Sequence, residues 1–133
     1  MKNTKRILVL MLVLIMAFGA VEAASAVSFS FTFDSISENY NTSSGTVSPD
    51  ASYFVVKLNN SSTASSNNVF GFRARKSSDD SYASSYKTMS SVGKKTVSYY
   101  SSITEGTSVY LRCKKDDSST YAGPLNADGT FIP

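Results

Sequence analysis

Val27 to Asp34 reads V-S-F-S-F-T-F-D, so Phe29, Phe31 and Phe33 alternate with Ser28, Ser30, Thr32 and Asp34. A two-residue period puts each set on its own face of an extended chain, and the stretch predicts a strand with one buried face. The pattern recurs. Ala51 to Asn59 sets Phe54, Val56 and Leu58 against Tyr53, Val55 and Lys57; both faces are partly apolar, as expected of a central strand. Asn68 to Lys76 turns Phe70, Phe72 and Ala74 inward and Gly71, Arg73 and Arg75 outward. In Lys94 to Ser101, Val97 and Tyr99 oppose Thr96, Ser98 and Tyr100. Ser108 to Lys115 sets Val109, Leu111 and Cys113 against Tyr110, Arg112 and Lys114.

Turn chemistry separates these runs. Gly45 and Pro49-Asp50 break the polar stretch after the first strand, where Thr46 and Val47 predict a short edge pairing. Asn59 to Asn67 reads as a hairpin loop, and Glu105-Gly106 as a turn. Asp128-Gly129 signals a final hairpin, with Thr130 to Ile132 returning as an edge strand. Gly71 inside a strand marks a bulge or a close backbone approach. Ser77 to Ser91 admits two readings. Tyr82, Ala83, Tyr86 and Met89 fall at a spacing that allows a turn or two of amphipathic helix, while the serines favour an irregular loop or a short strand. The sum is an all-β chain: a small antiparallel β-sandwich of five to seven short strands, with a small open barrel as the alternative.

The first 26 residues follow a different pattern. Lys2, Lys5 and Arg6 precede the apolar run Ile7 to Phe18, Gly19 breaks it, and Val21-Glu22-Ala23 and Ala24-Ser25-Ala26 close the segment, offering cleavage after Ala23 or Ala26. A cationic start, an apolar middle and an A-x-A end describe a secretory signal peptide. Twelve helical residues reach only about 18 Å, short of a ~30 Å hydrocarbon core. The expected organisation is therefore a signal peptide over 1–26 and one secreted β domain over 27–133, released to the extracellular space. A membrane enters only through the leader during export.

Composition changes the picture in three ways. The leader holds three cations and one anion, so the net charge of +3 falls to +1 without it, and no general basic character points to nucleic acid. Ser, Thr and Asn make up 42 of the 107 residues that remain, a share shared by disordered linkers and solvated β-sheets. All eight tyrosines lie in the same part, which decides for the folded sheet. One cysteine, Cys113, allows no internal disulfide, and its inward register among Val109 and Leu111 makes it a small hydrophobe.

The catalytic constellations are missing. There is no histidine to serve a serine or cysteine nucleophile, no G-x-S-x-G elbow, and no carboxylate spacing that selects an acid and base pair. The expected protein is not an enzyme. Tyr40, Tyr53, Tyr99, Tyr100 and Tyr110 offer a sugar-stacking face, against which the lack of tryptophan counts.

One internal similarity remains. Phe72-Arg73-Ala74-Arg75-Lys76 leads to Asp79-Asp80-Ser81-Tyr82-Ala83, and Leu111-Arg112-Cys113-Lys114-Lys115 leads to Asp116-Asp117-Ser118 and Tyr121-Ala122. Two strands with outward cations each run into a paired-Asp loop. If both loops met at one end of the sandwich they would share a hard cation such as Ca²⁺; the plainer reading is no cofactor, with Asp79, Asp80, Asp116 and Asp117 solvating strand ends and offsetting nearby cations. Arg73, Arg75, Arg112 and Lys114 would align as a basic stripe if their strands share a sheet. Such a stripe suits an anionic polymer such as wall teichoic acid, or nucleic acid, or simply guards an exposed strand from edge pairing.

The leader, Phe29-Ser30-Phe31-Thr32-Phe33, the late Val109-Tyr110-Leu111 and the tail Gly129-Thr130-Phe131-Ile132-Pro133 together resemble small secreted Gram-positive proteins of unknown function. That resemblance implies a secreted β protein and carries over no site residues. Two functions follow as expectations: a non-enzymatic extracellular binding or structural domain with an extracellular or cell-wall ligand, and, as the alternative, a bacteriocin-like or toxin-like protein acting on cell envelopes.

Overall fold

A computed structural model describes residues 25–49 and 51–133. Most of the expected leader, and Asp50 of the expected turn, lie outside these residues. Nine strands form: β1 (Val27–Phe33), β2 (Asn39–Asn41), β3 (Gly45–Thr46), β4 (Tyr53–Leu58), β5 (Phe70–Lys76), β6 (Lys87–Met89), β7 (Gly93–Ser98), β8 (Ser108–Lys115) and β9 (Leu125–Ile132). One sheet runs β1-β9-β4-β7. The other runs β2-β8-β5-β6, with β3 also paired to β8. All pairings are antiparallel and the sheets do not close on each other, so the architecture is an open β-sandwich.

The alternation read from the sequence governs what is buried. Phe29, Phe33, Phe54, Val56 and Leu58 from the first sheet meet Phe70, Phe72, Ala74, Val109, Leu111 and Cys113 from the second. Aromatic contacts cross the gap directly. Phe29 stacks on Phe70 with centroids 6.0 Å apart, and Phe54 meets Phe72 edge-on at 6.4 Å. As the register required, β4 is central, lying between β9 and β7. The short pairing expected near Thr46 is β3 on β8.

Three expectations are corrected, and one reading left open is decided. The strand count rises to nine because two- and three-residue pairings at the margin of the second sheet carry too little pattern to be seen in sequence. Asp128-Gly129 makes no hairpin: it lies inside β9, whose inward residues Leu125, Ala127 and Phe131 continue the alternation through it. There Gly129 faces Phe29 on one side and Leu58 on the other, and a Cβ would overlap the Lys57 carbonyl oxygen, so the glycine serves close strand approach. Asn59 to Asn67 is not a hairpin loop, since β4 and β5 belong to different sheets. Its first half runs along β9 instead, with the amides of Asn59 and Thr63 donating to the carbonyls of Asp128 and Asn126. Finally, of the two readings for Ser77 to Ser91 the irregular loop with a short strand is the one that forms; it follows the side of β5 away from β8 through an Arg75–Tyr82 bridge and then β6.

The thiol of Cys113 is fully buried, and burial pushes its pKa well above the ordinary thiol value. It packs as the alternation expects and has no route to a partner thiol in the folded state. A thiol reagent should therefore fail to label the native protein, and should label one equivalent once denaturant unfolds it. Truncating Phe72 to Ala should cost about 3–5 kcal/mol of stability by urea unfolding, because it empties the aromatic layer between the sheets.

Candidate functional site

The period that buries Phe70, Phe72 and Ala74 on β5 puts Gly71, Arg73 and Arg75 on the outer face of the sheet, where Gly71 is covered and the two arginines are half-buried. On the neighbouring β8, the outward residues are Tyr110, Arg112 and Lys114. The register sets Arg73 opposite Arg112, Gly71 opposite Lys114 and Arg75 opposite Tyr110. Strands three and five of the sequence analysis thus do share a sheet, and the four expected cations line one cleft of about 250 Å³ with Asn39, Tyr82 and Tyr86. Like charges placed directly across a strand pair repel, so this face is built against its own electrostatic cost.

Two tyrosines organise the cations. The Arg73 guanidinium lies 4.0 Å from the ring centroid of Tyr82 and 5.9 Å from that of Tyr86, and Arg75 lies 4.8 Å from Tyr82. Tyr86 reaches across the sheet because position 71 has no side chain: a Cβ there would overlap its hydroxyl. That hydroxyl donates to Asp116 Oδ2 at 2.6 Å, which pins the far end of the ring. Gly71 is therefore the close approach its strand position signalled.

Asp80 supplies the partial counter-charge. It sits in the left-handed region, φ 59°, which Asp tolerates better than most residues. Its carboxylate accepts from Arg75 at 3.0 Å and from the Tyr110 hydroxyl, and pairs with Arg112 at 3.5 Å. The Tyr110 hydrogen bond, followed by the nearby Arg112 and Arg75 charges, holds Asp80 below the usual carboxylate range. Lys114 pairs with Asp117 at 2.7 Å. Among the described residues Arg73 has no carboxylate partner within ion-pair distance, and the Nε groups of Arg73 and Arg75 are buried without an acceptor. Arg73 is thus held by ring faces rather than by a counter-charge.

The paired-Asp loops behave differently from a shared cation site. Neighbouring antiparallel strands end at opposite ends of the sheet. The Asp79-Asp80 loop follows Lys76 beside Val109, while the Asp116-Asp117 loop follows Lys115 beside Phe70. The condition for one shared cation site, that both loops lie at one end, is not met by this register. Each first Asp instead closes its own turn. Asp79 accepts from the hydroxyl and amide of Ser81, and Asp116 from those of Ser118. The Ser81 hydrogen bonds bring Asp79 down to about 2. Asp116 is also lowered: partial burial opposes ionisation, but bonds from Ser118 and Tyr86 outweigh it.

The tyrosines proposed as a sugar-stacking face are scattered. Tyr99 is buried against Phe54, Tyr40 packs on Phe31 and Phe33, and Tyr53 stands on the outer face of the other sheet. Sequence reasoning missed Asn39, Tyr82 and Tyr86 as cleft residues. Gly71 was the signal for Tyr86, since a strand glycine between cations leaves room for something to lie over it.

No family model, no curated protein and no solved structure matches this chain.

Two outcomes follow. Gly71→Ala should displace Tyr86, break its bond to Asp116 and lower stability by about 1–3 kcal/mol in urea unfolding. Asp79, Asp80 and Asp116 titrate lower folded than unfolded, so what they add to stability is complete above the unfolded value near ~4 and is lost as pH falls through the folded values. Thermal melts should show a stability loss that sets in below about pH 4 and grows toward pH 2.

Proposed function

We propose that the protein is a secreted, non-enzymatic binding domain whose outer β2-β8-β5-β6 face takes an anionic extracellular or cell-wall polymer through the Arg73, Arg75, Arg112 and Lys114 cleft. The observation that carries this reading is the direct opposition of Arg73 and Arg112, with Arg73 stacked on tyrosine rings rather than neutralised. A protein that needed these cations only to protect a strand edge would place them on an edge strand, yet β5 and β8 are both interior to their sheet. Arginine forks suit phosphate oxygens, and the extended stripe suits a repeating phosphodiester such as wall teichoic acid.

The non-enzymatic part rests on the chain's chemistry. It has no histidine, its thiol is buried and protonated, and Asp79, Asp80, Asp116 and Asp117 are taken up by turns and ion pairs. Secretion rests on the leader pattern, and β1 begins at Val27, beyond both candidate cleavage points.

The test is co-sedimentation of the purified domain with Gram-positive cell walls, before and after removal of teichoic acid. Retention should require the teichoic acid and should vanish at about 1 M NaCl, where the Debye length shrinks to ~3 Å. Arg73→Ala should weaken binding about tenfold, equivalent to about 1.4 kcal/mol, without changing the melting temperature. Equal retention by stripped walls would overturn the ligand class. Growth inhibition and dye leakage from target cells, with no polymer binding, would transfer the reading to the bacteriocin-like alternative.

A further inference from the structure

A second cleft of about 420 Å³ lies where the β4–β5 and β8–β9 connections meet. Its lining is Thr63, Ser65, Asn67, Asn68, Tyr121, Pro124 and Asn126, all uncharged. The two connections are stitched together: the amides of Thr120 and Tyr121 both donate to the Asn67 carbonyl, and the amide of Thr63 donates to Asn126. This is a built concavity on two loops rather than a gap between mobile ones.

Tyr121 is its platform. The ring is half exposed, and its edge crosses over Gly123, where a Cβ would overlap it. Lys115 fixes the turn beneath. Its ammonium, buried at the inner end of β8, donates to the Tyr121 carbonyl at 2.7 Å and the Gly123 carbonyl at 2.6 Å. The aromatic face is thus held in place before any ligand arrives, which lowers the ordering cost of binding.

The polar groups around the ring are of both kinds. Asn68 is 2% exposed; its amide nitrogen donates to the carbonyls of Thr63 and Pro124, yet its Oδ1 is buried without a donor. A buried acceptor left open is costly unless something completes it. Asn67 and Asn126 use their Oδ1 atoms to accept from Ser65 and Thr32, while their amide nitrogens donate to no group among the described residues. An acceptor and two donors beside a fixed ring, with no charge in the lining, match a ligand whose hydroxyls both give and take hydrogen bonds and whose ring offers a flat C–H face.

We propose that this cleft is a binding subsite for an uncharged saccharide. It is separate from the basic face and does not depend on that reading. The lining itself carries no charged side chain, which favours an uncharged ligand; the nearby Lys115 ammonium, 5.7 Å from the Tyr121 ring centroid, already gives two of its protons to carbonyls.

The experiment is an amide-resolved NMR titration of the secreted protein with three neutral trisaccharides: an N-acetylglucosamine trimer, maltotriose and xylotriose. At least one should shift signals confined to residues 63–68 and 121–126, with a Kd of about 1 mM or tighter. Tyr121→Phe should keep the response and Tyr121→Ala should weaken it about tenfold or more, with both variants melting like the parent. Arg73→Ala should leave it unchanged. Absence of shifts in these segments with all three sugars would overturn the proposal, as would shifts that Tyr121→Ala does not alter.

Discussion

The molecule depends on a layer of aromatic rings between two sheets. Phe29, Phe33 and Phe54 from one side lock onto Phe70 and Phe72 from the other, and no disulfide shares the task. A β domain of about a hundred residues buries a modest core, so this layer carries much of what holds the sheets together. It also dictates the surface. Once Phe70, Phe72 and Ala74 must face inward, the period-2 backbone leaves Gly71, Arg73 and Arg75 no choice but to face out, beside Arg112 and Lys114. Core and candidate site are two faces of one constraint.

That coupling explains an arrangement that would otherwise be unfavourable. Arg73 and Arg112 stand opposite each other, and the protein offsets the repulsion only partly. Asp80 reaches Arg75 and Arg112, Tyr82 and Tyr86 lie against Arg73, and Gly71 makes the room that lets Tyr86 do so. Each of these contacts is partly solvated and individually worth little in stability. Together they fix the cations in place.

How much of this could be read from the chain depends on whether the signal was local. The alternation of β1, β4, β5 and β8 announced the strands, their inner faces and the buried state of Cys113, because each is settled within a few residues. The four cations were named for the same reason. Sheet membership was not local. The Asn59–Asn67 segment looks like a hairpin loop, yet the aromatic layer needs β4 and β5 on opposite sheets. Asp128-Gly129 carries a turn signature that the pairing of β9 with both β1 and β4 overrides. The paired-Asp loops look alike in sequence and are separated by an antiparallel register that only the pairing of β5 with β8 reveals. Tyr82 and Tyr86 have helical spacing because they follow a strand edge irregularly, and only Gly71 hinted at where one of them goes.

The most direct measurement is the NMR signal of the arginine Nε–H groups while a short glycerol-phosphate polymer is added. Nε of Arg73 and of Arg75 is buried without an acceptor among the described residues, on guanidinium groups that line the cleft, so an anion paired with those groups should shift both signals. The account predicts that the Arg73 and Arg75 signals move together and saturate, and that added salt reverses the change. Side-chain signals that stay fixed while the polymer binds elsewhere, or that move only with bulk ionic strength, would contradict it.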